Sequence, residues 1–95
     1  LDPPAYGHGP DGEKWKLDEC LNDMLQCVAA ILAPQDSFMV LNLYSNGYSA
    51  VLGETIVKQN FCLKTAYKSL DVGELVLRDS YGKNLPLSVF VRLLR

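Results

Sequence analysis

The chain has 95 residues, of which 48% are hydrophobic and 21% charged. That is enough for one small domain with a core and too little for two. A net charge of −2 and an isoelectric point near 5.2 exclude a basic footprint for nucleic acid, so any phosphate contacts of a larger protein must come mostly from elsewhere.

Three cysteines, Cys20, Cys27 and Cys62, contain no C-x-x-C pair, and the single histidine, His8, is too few for the common zinc sets. No metal is expected, and the thiols are expected to be free and buried in a reducing cytoplasm. No signal peptide or membrane-length apolar run occurs, which argues against a membrane partner. The chain lacks an initiator methionine and is read as a piece of a longer protein.

In chain order, Leu1-Asp2-Pro3-Pro4-Ala5-Tyr6 comes first. Proline fixes φ and removes a backbone donor, so Pro3-Pro4 takes the chain out of regular structure and holds Asp2 at a stiff corner. Residues 7–16 read as a glycine-rich polar loop. A helix follows from Leu17 to about Leu32, with Leu17, Leu21, Met24, Leu25, Val28, Ile31 and Leu32 on one stripe. Asp18 and Glu19 suit the positive end of its dipole, and Pro34 stops it.

Ser37 to Tyr44 is almost continuously apolar, the pattern of a strand buried on both faces of a parallel sheet. A second helix is expected from Tyr48 or Ser49 to Asn60, with Tyr48, Val51, Leu52, Thr55 and Ile56 inward and Gly53 weakening it slightly. Residues 63–72 read as irregular or a short helix. Gly73–Asp79 and Leu87–Leu94 then form an antiparallel hairpin across a turn-rich connector. A buried strand between helices predicts an α/β fold.

Asp2-Pro3-Pro4-x-Tyr6, followed by Gly7-x-Gly9-Pro10-x-Gly12-Glu13-x-Trp15-Lys16-Leu17, resembles the fourth motif of class I S-adenosylmethionine-dependent methyltransferases. Within that family it is most similar to the group of bacterial 23S rRNA methyltransferases. The resemblance spans nearly the whole chain and implies the C-terminal half of a Rossmann-like sheet: a parallel strand flanked by helices, then a terminal antiparallel hairpin. It implies that Asp2 and the Pro3-Pro4 backbone orient the acceptor, with Asp2 also facing the methyl donor, and that Tyr6 stacks on a target base. Such positioning can lower a barrier by several kcal/mol, and a flipped base is held by edge hydrogen bonds and stacking. On the same basis S-adenosylmethionine is the implied cofactor, bound mainly by an N-terminal half, and RNA the implied partner of the parent protein.

Ligands in open α/β sheets bind beyond the carboxyl ends of strands. Tyr44, Ser45 and Asn46 therefore become substrate-binding candidates, expected to edge one crevice with Asp2. The bland reading of this tip is a strand-to-helix turn. Trp15 and Lys16 are channel candidates, although Trp15 can equally cap the core. His8 is expected to be exposed. In the related cytosine carbon-5 enzymes a cysteine stands where Asn46 stands here, which argues against that chemistry.

The competing expectation is a non-catalytic binding or regulatory module that keeps the fold. In either case an apolar edge left open at Phe38–Tyr44 predicts self-association of the isolated chain.

Overall fold

In the computed structural model, which describes residues 1–95, the elements run β1 (Tyr6–His8), β2 (Lys14–Lys16), α1 (Leu17–Ile31), β3 (Phe38–Leu43), α2 (Ala50–Val57), β4 (Ser69–Arg78) and β5 (Asn84–Leu94). A single π-helical turn, Lys58–Cys62, prolongs α2. The predicted first helix is therefore present almost to the residue. The glycine-rich stretch is not a plain loop: β1 and β2 pair antiparallel, Tyr6 with Lys16, Gly7 with Trp15 and His8 with Lys14. Gly12, at φ 89°, permits the reversal.

The main sheet has the order β3-β5-β4, and both pairings are antiparallel. The expected parallel pairing is not shown by these three strands, since β3 pairs antiparallel with β5 from Phe38↔Leu94 to Leu43↔Val89. Only Leu1 shows parallel geometry. Its terminal nitrogen donates to the Val40 carbonyl at 2.7 Å and its carbonyl accepts from the Asn42 amide at 2.9 Å. Bonding to two residues that flank a third is how a parallel neighbour pairs.

Nor is β3 buried on both faces. Met39, Leu41 and Leu43 point into the core, while Phe38 is 70% exposed. The helices supply one apolar layer: Leu17, Leu21 and Leu25 of α1, with Val57 and Phe61, pack on Met39, Leu41, Leu43, Val89, Val91 and Leu93. The opposite face has no layer in this chain.

The expected inner face of α2 is also revised. Val51 and Leu52 are exposed, and Gly53 and Val57 are buried. A Cβ on Gly53 would come within 3.0 Å of Val91 Cγ2. The glycine lets the helix lie close on β5, and that approach sets which side faces inward. Ser49 caps the helix by accepting from the Leu52 amide.

The hairpin is longer than its alternating segment suggests. Ser69–Val72 belongs to β4, and pairing runs from Ser69↔Leu94 to Arg78↔Asn84 with an irregularity between Leu75 and Val76. Buried Arg95 follows β5. Its guanidinium donates to the carbonyls of Leu32, Ala33 and Phe61 and lies 5.8 Å from the Phe61 ring centre. A cation placed there meets the negative end of α1.

The cysteines are free, but the expectation that all are buried fails, since Cys27 is exposed and Cys20 and Cys62 are half-buried. Burial pushes the Cys62 thiol up, against the opposing pull of Arg95 and Lys58. The thiolate is the reactive form, so Cys27 should be alkylated first and Cys62 well after it. Time-resolved mass mapping of the labelled protein checks this order. No helix is long and apolar enough to cross a membrane.

Candidate functional site

The Asp2 corner is fastened at three points, two on β3 and one on the β1–β2 hairpin. Leu1 pairs beside β3 as described. Asn42, the polar residue on the outer face of β3, donates through Nδ2 to Asp2 Oδ1 at 2.7 Å. Trp15 Nε1 donates to the Pro4 carbonyl at 2.7 Å. Pro3 is buried beneath these contacts, whereas Asp2 and Pro4 are exposed. The second oxygen of Asp2 and the carbonyl of Pro3 make no hydrogen bond within the chain.

The indole takes one lone pair of the Pro4 carbonyl, and the carbonyl of buried Pro3 accepts no hydrogen bond within the chain. Trp15 itself packs against the core. It braces the corner and does not line the adjacent cleft.

A small cleft of about 190 Å³ lies between Tyr6 and Lys16 of the β1–β2 hairpin, Asp18 and Glu19 of α1, and Asn46. It lies below the roughly 300 Å³ that marks the lower range of drug-sized sites, so it can take a group or an edge of a ligand. Tyr6, 70% exposed, offers an open ring face at its rim. Lys16 contributes a cation, held by an exposed 3.2 Å ion pair to Glu19.

The tip after β3 is locked to α1 through one carboxylate. Asp18 Oδ1 accepts from Asn46 Nδ2 at 3.1 Å and from the Tyr48 hydroxyl. Asn46 stands at φ 59°, a left-handed conformation that asparagine tolerates better than most residues. Burial, reinforced by the neighbouring Asp18 carboxylate, raises the Tyr48 phenol above its usual value of 10.0.

A raised value means that the folded chain holds the phenolic proton more tightly than the unfolded one. The Tyr48–Asp18 bond therefore contributes fully below about pH 10 and is lost as pH climbs through the raised value. Tyr48→Phe should lower the urea midpoint at about pH 8 and leave little difference from the parent chain at strongly alkaline pH. Denaturation curves at both values check it.

Three of the predicted residues, Tyr6, Lys16 and Asn46, thus meet at one cleft. Asp2 bonds Asn42 and does not line the cleft, so this cleft is not the crevice expected to be shared with Asp2. Tyr44 is half-exposed and does not line the cleft. Ser45 is half-buried, and its Oγ, like Asn42 Oδ1, is buried without a hydrogen-bond partner. Such atoms mark unspent polar capacity at this end of β3. His8 is exposed, and no cysteine lines the cleft.

As site residues, Asp18, Asn42 and Tyr48 are not legible in the sequence, where Asp18 reads as a helix-dipole residue and Tyr48 as part of the inner face of the second helix. Asn42 interrupts an otherwise apolar strand, and that was the one available signal.

No group of three His, Cys, Asp or Glu side chains converges as a metal set. The surface around the corner offers an open carboxylate oxygen at Asp2 and an exposed ring at Tyr6, with Asn42 Oδ1 and Ser45 Oγ buried behind it without partners.

No family model and no curated protein matches the sequence. Among solved structures the chain is similar to the crystal structure of the SAM-dependent methyltransferase from Agrobacterium tumefaciens, at 31% identity and a TM-score of 0.83. The match covers 98% of this chain and 31% of that one, so the chain spans about a third of the length of that enzyme. The mixed α/β fold is therefore similar to part of a methyltransferase structure.

Proposed function

We propose that the chain is the C-terminal part of an S-adenosylmethionine-dependent methyltransferase acting on a base in RNA, of the ribosomal RNA group that its motif resembles. The observation that carries this reading is the fastening of Asp2 by Asn42 beside β3, next to a cleft edged by Tyr6. The 31% identity to a SAM-dependent methyltransferase over nearly the whole chain supports the same reading.

When bound, S-adenosylmethionine supplies the activated methyl group, and most of its contacts belong to residues upstream of Leu1. The residues here orient the acceptor. The free oxygen of Asp2 and the Pro3 carbonyl accept hydrogen bonds from donors on its edge, and Tyr6 stacks on its face. Asn42 fixes the Asp2 carboxylate, and the Asp18–Asn46–Tyr48 cluster fixes the wall beside it. Lys16 meets a phosphate or other acidic group at the rim. The acidic balance of this chain leaves most backbone phosphate contacts to the rest of the protein.

The test is transfer of a labelled methyl group from S-adenosylmethionine to ribosomal RNA by a longer chain that includes upstream residues. Label that becomes soluble after ribonuclease digestion is the expected result. A longer chain that binds the donor but labels no RNA contradicts the RNA reading. Absence of both binding and transfer in a folded longer chain favours the non-catalytic module.

A further inference from the structure

We propose that β4 is a dimerisation edge, at which two copies of this chain pair antiparallel about a two-fold axis through Val76. This interface is separate from the candidate site at the carboxyl end of β3 and does not depend on the function assigned to it.

β4 is the outer strand of the sheet, ten residues long, with β5 on one side and nothing on the other. Alternate N–H and C=O groups of such a strand point outward unpaired, and long edges of this kind are templates for another chain. Of the devices that usually blunt an edge, β4 has no proline and no lysine, and the irregularity between Leu75 and Val76 in its pairing with β5 leaves the strand continuous from Ser69 to Arg78. Its outer half is apolar and open, with Leu75, Val76 and Leu77 exposed by 45%, 48% and 58%.

Symmetry restricts how two such strands can meet. A two-fold axis perpendicular to the sheet keeps each side chain on its own face, so residues directly opposite must have the same parity. Centring the pair on Glu74 sets Glu74 against itself. Centring on Leu75 sets Asp71 against Asp79. A centre on Val76 avoids both clashes, placing Val76 opposite Val76, Leu75 opposite Leu77, and Glu74 opposite Arg78, the last two pairs occurring twice.

Glu74 and Arg78 form no ion pair within the chain. Their charges are unspent, and they lie at the spacing that a symmetric partner would complement. Cross-strand apolar and opposite-charge pairs are the units that stabilise a sheet. Of the two sheet edges, β3 is already covered from Val40 to Asn42 by Leu1. The self-association expected of the isolated chain is thereby assigned to β4.

Sedimentation equilibrium of the 95-residue chain at low salt tests this. Glu74→Arg and Arg78→Glu, each alone, should weaken dimerisation by about tenfold or more, because two attractive pairs become repulsive. The double reversal, Glu74→Arg with Arg78→Glu, restores complementary pairs and should return the dimer. Circular dichroism confirms that each variant is folded. The proposal is overturned by a monomeric parent chain, by a dimer indifferent to either single reversal, or by a folded double variant that stays as weak as the singles. A dimer lost instead on Val40→Lys would place the contact on β3 and overturn it too.

Discussion

Phe61→Ala should cost this chain about 3–5 kcal/mol of stability, the largest loss expected from any single truncation here. Phe61 is among the largest fully buried side chains and belongs to the core cluster shared by both helices and the sheet. A 95-residue domain has only about 5–14 kcal/mol to lose. The π turn that carries Phe61 ends α2, and its ring and the Arg95 bond to its carbonyl hold it against the core.

Arg95 donates to the Phe61 carbonyl and lies beside the ring. Truncation to alanine keeps the carbonyl but removes the surface that the guanidinium covers. Urea denaturation gives the measurement. Leu63→Ala, two residues on and 77% exposed, should change the stability by no more than about 0.5 kcal/mol. Equal losses at the two positions would refute this account of the core.

The second large effect concerns activity. In a longer, active chain, Asp2→Ala should lower methyl transfer by about 100-fold or more, the scale on which misplacing a reacting group acts. Most of the loss should appear in kcat, because the carboxylate orients the acceptor and does not supply the main binding contacts.

Asp2→Asn should fall between the two. Its side-chain oxygen can still accept from Asn42 Nδ2, so the corner keeps its fastening, while the charge is lost and the second oxygen, the open acceptor, becomes an amide donor. Asn42→Ala should also fall between them, since it frees Asp2 without removing it. An alanine variant as active as the parent would dismiss Asp2 as a turn residue and no more.

Much of this architecture is legible in the sequence where one element decides its own form. The stripe from Leu17 to Leu32 specifies α1, and alternation after Gly73 specifies the hairpin. The apolar run at β3 identified a strand but not its surroundings. An uninterrupted apolar pattern carries no direction, and Phe38 and Val40 belong to a face that no layer of this chain covers. The inward side of α2 depended on Gly53 meeting Val91, a contact between residues far apart in the chain.

The candidate site divides along the same line. The corner residues Asp2, Pro3, Pro4 and Tyr6 stand together in the sequence and could be read as a motif. Asp18 read as a helix-dipole residue, and its hydrogen bonds to Asn46 and Tyr48 arise only once the tip of β3 folds against α1. The occupation of the Pro4 carbonyl by Trp15 is likewise a tertiary event, set by the β1–β2 hairpin.

The measurement that tests the central claim most directly is calorimetric titration of S-adenosylmethionine into this 95-residue chain and into a longer chain carrying upstream residues. The account predicts saturable binding by the longer chain alone. No binding by a longer chain shown to be folded would contradict it.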